Sequence, residues 1–255
     1  MTITPDNILD FWLGQPHERL FAADSAFDAE IANRFGAVLD AAKAGAFDGW
    51  AETPRGALAL VILLDQFSRN IHRGTRDAFA ADDKALMLAR QAIASGFDME
   101  FPADQRAWFY LPFMHSESLD DQLTCIKLAK AAGLADTLHW AEVHAEIIRC
   151  FGRFPHRNPI LGREMSEEEQ AFLDAGGFRG SLAQPFPSPS PAVGPVLAEH
   201  SEGNGTLRRD DTHDGCRQAG LAQHRLCGLE RGACSPIDRG MGSAREQRRR
   251  TLHRP

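Results

Sequence analysis

An all-α stack or bundle of about eight antiparallel helices, followed by a C-terminal tail of different character, is the fold class that the sequence predicts. Three observations carry it. Helix start and stop signals recur every fifteen to twenty residues, no segment reads convincingly as a strand, and 20 of the 21 aromatic residues lie before residue 181. The chain therefore divides into an all-helical domain over 1–180 and a Pro/Gly/Arg-rich tail over 181–255.

Thr4-Pro5 joins an N-cap to a proline at the first helical position and opens a helix over 7–13 that stops at Gly14. A second helix spans 27–44 and ends at Gly45. Thr53-Pro54 repeats the opening signal for a third over 55–70. Segments 82–95, 103–115, 119–132 and 136–151 follow, with Gly96, Gly133 and Gly152 as stops after three of them. Ser166-Glu167-Glu168-Glu169 is a capping box for a last short helix. No period of 30–40 residues is visible, so helix length alone suggests a helical-repeat architecture.

With 43% hydrophobic and 25% charged residues, the chain has apolar material for one compact domain with an appendage. Residues 1–180 hold 17 Lys+Arg against 27 Asp+Glu, and the tail holds 11 Arg, no Lys and 8 Asp+Glu. The acidic body repels a phosphate backbone, so neither duplex nucleic acid nor an anionic membrane is an expected partner. The longest apolar run, 57–64, is far shorter than the roughly 18–20 residues of a membrane helix, so no membrane insertion is expected. The start lacks the basic and apolar regions of a secretory signal, and a cytoplasmic protein is expected. Five cysteines at no zinc-like spacing suit reduced thiols.

The third helix is apolar around nearly its whole circumference, through Leu58, Leu60, Val61, Ile62, Leu63, Leu64 and Phe67, which places it in the middle of the protein. Asp65 and Arg69 share its apolar stripe at i,i+4 spacing, so a structural ion pair between them is expected. In the helix over 136–151, His144 falls on the face of Trp140, Val143, Ile147, Ile148 and Phe151 and points to the core. The helix over 103–115 has no polar face, contains Pro112 and ends in His115-Ser116-Glu117. Two cationic stretches, 69–75 and 153–159, each contain Arg-x-x-His-Arg with an asparagine close by. Guanidinium forks with imidazole and amide groups make a receptor for carboxylate or phosphate. Arginines at helix C-termini also bind exposed carbonyls, which is the bland reading of the same residues.

The segments Leu-Asp-Gln-Phe-Ser-Arg-Asn-Ile-His-Arg-Gly (64–74), Leu-Pro-Phe-Met-His-Ser-Glu (111–117) and Phe-Gly-Arg-Phe-Pro-His-Arg-Asn-Pro-Ile-Leu-Gly-Arg (151–163) resemble the signatures of the bacterial domain of unknown function 924 family. Ile8-Leu9-Asp10-Phe11-Trp12 and Glu168-Glu169 with Phe172-Leu173 are similar to it too, so the resemblance covers roughly 5–179. It implies a tetratricopeptide-like helical fold and no established activity.

Three function classes follow. The leading one is a helical module that binds a small anionic molecule or an acidic peptide end through Arg69, Asn70, Arg73, His115, Glu117, His144, Arg153, His156, Arg157 and Asn158. A second is a metal-dependent or acid–base hydrolase using His115, Glu117 and His144, although His115-x-Glu117 lacks the one-face spacing of a helical metal site. The third is a structural interaction scaffold. No Gly-rich phosphate loop, nucleophile elbow or Cys-Cys pair is present, so neither cofactor nor metal is expected.

The tail's composition cannot bury enough apolar area to offset chain entropy, and disorder is the expectation for it. Its Arg-rich end, 245–254, reads either as a solvated extension or as a partner-binding arm. Absence of Lys with abundant Arg, Gly, Pro and Ser is also what GC-rich DNA gives in another reading frame. Limited proteolysis is expected to leave a stable fragment ending near Gly180; strong protection of 185–225 would show that the tail belongs to the fold.

Overall fold

The structure, a computed structural model, describes residues 3–180, whose regular elements are all helices with no strand among them. The tail, expected to be disordered, lies outside the described residues. The long helices are α1 (Pro5–Leu13), α3 (Ser25–Lys43), α4 (Pro54–Val61), α6 (Asp82–Ala94), α7 (Ala103–His115), α8 (Leu119–Ala132), α9 (Ala135–Phe151) and α11 (Glu167–Asp174). Three four-residue helices complete the set: α2 (His17–Leu20), α5 (Ser68–Ile71) and α10 (Asn158–Leu161). Single 3₁₀ turns lie at Asp48–Glu52, Arg76–Phe79, Phe97–Glu100 and Pro155–Arg157.

The predicted boundaries follow from capping chemistry. Thr53 Oγ1 accepts the Gly56 N–H at 3.2 Å and Pro54 occupies the first position of α4. The α3 helix starts at Ser25, two residues earlier than expected, because Asp24 caps it by accepting from the N–H groups of Ala26 and Phe27 at 2.9 and 3.2 Å. Ser166 and Glu169 form the reciprocal box at the start of α11. Gly133 and Gly152 end α8 and α9 in the left-handed conformation, with φ of 70° and 66°.

The third predicted helix is the one that departs from regularity. Between α4 and α5, residues Ile62–Phe67 form a π-helical turn, so 54–71 runs without a break but is wider in its middle. Every residue from 56 to 68 is buried. Helices α1, α3, α6 and α7 all pack against this central rod. Beyond it, consecutive helices stack, α7 on α8 and α8 on α9.

Two apolar cores result. The larger surrounds the rod and contains Trp12, Phe27, Phe35, Phe67 and Phe109; the Trp12 and Phe67 rings lie 5.4 Å apart and Phe35 and Phe67 5.0 Å. The smaller gathers Val143, Ile147, Ile148 and Phe154 beneath α11, with Phe151, Phe172 and Phe178 at its edge. Polar side chains of the central rod, the end of α7 and the turn after α9 meet between the two cores.

Gly56 shows how tightly the rod enters the core. A Cβ there would lie well inside van der Waals contact of the Trp50 carbonyl and 2.8 Å from Thr53 Oγ1. Propensity alone would make Gly56→Ala stabilising by about 1 kcal/mol. The clash with backbone reverses the sign, and a loss of about 1–3 kcal/mol is expected in urea melts. A stabilised variant would show that the close approach is relieved at no cost.

Candidate functional site

Asp65 sits on the π-helical turn with 1% of its side chain exposed. A carboxylate so enclosed needs several donors, and four contacts from three side chains supply them. Arg69 Nη1 lies 2.8 Å from Oδ1. His115 Nδ1 lies 2.9 Å from Oδ1 and 3.0 Å from Oδ2, and Gln66 Nε2 donates to Oδ2 at 2.5 Å. Burial pushes the Asp65 carboxyl up, but Arg69 and His115 together outweigh it and hold the group at about 2. It is ionised at neutral pH.

Arg69 then carries the network outward. Its Nη1 also donates to the Asp65 carbonyl at 2.9 Å, and its two terminal nitrogens fork onto Asp82 at the start of α6, both at 2.9 Å. Asp82 faces a second guanidinium, since its Oδ2 lies 3.8 Å from Arg157 Nη1. Arg157 comes from the 3₁₀ turn after α9 and is 9% exposed. Its Cζ lies 4.7 Å from the Phe79 ring centroid and 4.5 Å from that of Phe154. Its Nη2 donates to the His115 carbonyl at 3.0 Å, and its Nε is buried without a hydrogen-bond partner. Burial, and next the charge on Arg69, pull Arg157 down to about 10.

Two further histidines adjoin this centre. His144 Nδ1 donates to the Trp140 carbonyl at 2.7 Å, and its ring packs on Phe154 and Phe178 with centroids 5.3 and 4.5 Å away. His156 packs on the same two rings at 5.7 and 5.3 Å, with a buried Nδ1 that has no partner. Burial, with the charge on Arg157 adding to it, holds both at about 3, and on His144 this outweighs the upward pull of the Trp140 carbonyl. Both are neutral at pH 7.

Arg69, His115 and Arg157 thus join through direct contacts with Asp65 and Asp82, and His144 and His156 stand beside them. The other expected ligand groups have different partners. Asn70 and Arg73 both turn to Asp28 on α3, at 2.8 Å for the amide and 2.6 and 2.9 Å for the guanidinium. Arg153 forks onto Glu169 at 2.6 and 2.9 Å and reaches the Glu164 carbonyl. Glu117 accepts the Phe154 N–H at 2.9 Å and two contacts from Arg163 at 2.9 and 2.8 Å, so it ties the turn after α9 to the end of α7. Asn158 is fully buried, with Nδ2 3.6 Å from Met165 Sδ and Oδ1 unpartnered. Among the described residues no group of three or more His, Cys, Asp and Glu side chains is placed to hold a metal ion.

Asp82, Phe79, Phe154 and Arg163 complete the network and were not singled out in the sequence. Asp82 reads there only as an acidic residue in the first turn of a helix, where it suits the dipole.

The family model of the bacterial proteins of unknown function designated DUF924 matches residues 8–177. The chain belongs to that family. The chain is similar to a solved structure of a protein of unknown function from Agrobacterium tumefaciens, at 42% identity and a TM-score of 0.64 over 67% of this chain and 96% of that one. No curated protein matches the chain. All the polar residues from Asp65 to Arg163 fall inside the DUF924 match.

Removing Asp65 takes from Arg69 one of its two carboxylates and leaves the Gln66 and His115 donors without their buried acceptor. Asp65→Ala is therefore expected to cost about 3–5 kcal/mol in denaturant melts. By contrast, Arg34→Ala, which breaks the solvent-screened pair with Glu30, is expected to cost under about 1 kcal/mol. Equal losses would show that Asp65 is no more than another surface-like pair.

Proposed function

We propose that this DUF924 chain binds a small molecule carrying a carboxylate or phosphate at Arg157, beside Arg69 and His115. The observation that supports this reading is Arg157 itself. A buried guanidinium is normally forked onto a carboxylate, yet the nearest one, Asp82, already takes the Arg69 fork and stays at 3.8 Å from Arg157. Nε is unpartnered, two phenylalanine rings lie within 4.7 Å of the guanidinium carbon, and the charge is disfavoured by burial and by Arg69. An anion meeting the edge of this guanidinium would satisfy the donor and stabilise the charge together. An acidic peptide end presents the same carboxylate and is a second ligand source for the same group.

The scaffold reading rests on the remaining cations. Arg73 and Arg153 have filled forks, and Asn70 is held by Asp28, so these residues act as fasteners between segments rather than as contacts for a ligand. We further propose that the chain works in the cytoplasm. Among the described residues, no helix is long and apolar enough to cross a membrane.

A ligand that binds the native state alone raises apparent stability by about 2.7 kcal/mol at one hundred times its Kd. Thermal melts with inorganic phosphate, succinate and an acidic C-terminal peptide are expected to show a rise for at least one. Arg157→Gln is expected to abolish that rise and Arg73→Gln to preserve it. No rise with any of the three, or an equal rise in Arg157→Gln, would leave the scaffold reading.

A further inference from the structure

Holding an anion requires only the arginines, but the Asp65–His115 pair has a more particular geometry. Both oxygens of a fully enclosed carboxylate address one nitrogen of the ring, at 2.9 and 3.0 Å. A carboxylate only accepts, so Nδ1 carries the proton and the lone pair of the neutral ring resides on Nε2. Asp65 itself has little freedom, since Gln66 and Arg69 hold it and the π-helical turn carrying it is buried on all sides. The imidazole is therefore fixed in orientation and tautomer. It nevertheless keeps 18% of its side chain exposed.

His144 provides the contrast. Its Nδ1 is also a donor, but to a carbonyl of its own helix, and the residue is only 5% exposed, with Phe154 and Phe178 against its ring. It has no acid behind it. His115 has a buried acid behind it, a partly exposed ring, and Arg157 bound to its own carbonyl at 3.0 Å.

Resting on the anion reading of this site, we propose that His115 is a general base acting at Nε2, with Asp65 its positioning residue, in the hydrolysis of a carboxylic ester whose acid part carries a second carboxylate held by Arg157. In the step, an O–H bond of water breaks and its proton passes to Nε2, while the water oxygen bonds to the ester carbonyl carbon. The bond from that carbon to the alcohol oxygen then breaks, and the proton on Nε2 goes to the leaving alkoxide. The transient imidazolium lies against Asp65 at 2.9 Å, so the charge it gains is compensated without movement. Glu117 takes no part, because Arg163 and the Phe154 N–H occupy it.

The groups facing His115 are Asp65 and Arg69 of the central rod, Asp82 of α6, Arg157 of the turn after α9, and the neighbouring His144 and His156. Burial lowers the His115 pKa most and Arg69 lowers it further; the pull of Asp65 and Asp82 does not restore it. A base so placed is unprotonated at pH 7. Its rate limb falls with acid below the ordinary imidazole value of 6.5.

The test uses the full chain with mono(4-nitrophenyl) succinate as the probe and neutral 4-nitrophenyl acetate as the comparison. Turnover above buffer is expected, with kcat/KM at least about tenfold higher for the succinate hemiester, and a base limb below pH 6.5. His115→Gln is expected to lower kcat by about 10²–10⁴-fold. Asp65→Asn is expected to lower kcat far more than it changes KM, since it disturbs the tautomer and not the anion contact. Where either variant fails to fold, diethyl pyrocarbonate on the native chain reads the same nitrogen: loss of turnover must track acylation mapped to His115 and return with hydroxylamine. Succinate binding without turnover, or full turnover after loss of His115, overturns the base and leaves the anion site. Neither binding nor turnover overturns both.

Discussion

An ionised carboxylate inside a rod of thirteen buried residues is the constraint around which the rest is arranged. Left alone, Asp65 would cost several kcal/mol. Its donors come from its own turn, through Gln66 and Arg69, and from α7 through His115. Arg69 then carries a charge that Asp65 already shares with an imidazole, and the fork to Asp82 supplies the second anion. That fork draws the start of α6 against the rod. Each charge along the network answers the one before it, until the buried Arg157, where no carboxylate comes within hydrogen-bond distance.

Much of this was legible in the sequence, and the parts that were not share a physical reason. A helix without a polar face must be central, and the Asp65–Arg69 spacing identifies a pair because residues four apart on a helix meet. The π-helical turn left no signal: six residues are too few to display a changed period, and Ile62, Leu63, Leu64 and Phe67 are apolar in either geometry. Asp82 was hidden because thirteen residues and a 3₁₀ turn separate it from Arg69, and no local pattern encodes such a meeting. Both copies of Arg-x-x-His-Arg stood among the expected anion contacts. The structure uses opposite ends of the two copies, with Arg69 inward and Arg73 on Asp28 in one, and Arg153 on Glu169 with Arg157 inward in the other. A shared spelling at two helix ends therefore did not imply a shared direction, because the chain leaves α5 and α9 by different turns.

The aromatic residues decide what kind of cation Arg157 is. Its guanidinium lies against both Phe79 and Phe154, with Nη2 on the His115 carbonyl and a buried Nε that has no partner. Arg73 lacks such flanking rings among the described contacts and is more exposed, so its charge is screened by water as well as by Asp28. Two arginines of similar sequence context thus differ in what they ask of a partner, and the difference lies in packing rather than in charge count.

The same packing sets the charge of the imidazoles. Protonating His144 or His156 would place a cation next to Arg157 in a site from which water is largely removed, and burial together with that arginine holds both rings neutral. Phe178 maintains this state by lying on both rings, one residue past the end of the family match. Gly180 follows with φ of 90°, and a Cβ there would stand 3.0 Å from the His156 ring. The last described residues therefore close one flank of the imidazole pair by direct contact. A side chain at this position would be strained by the positive φ and would crowd the His156 ring, so the backbone itself can pass close beside the imidazole.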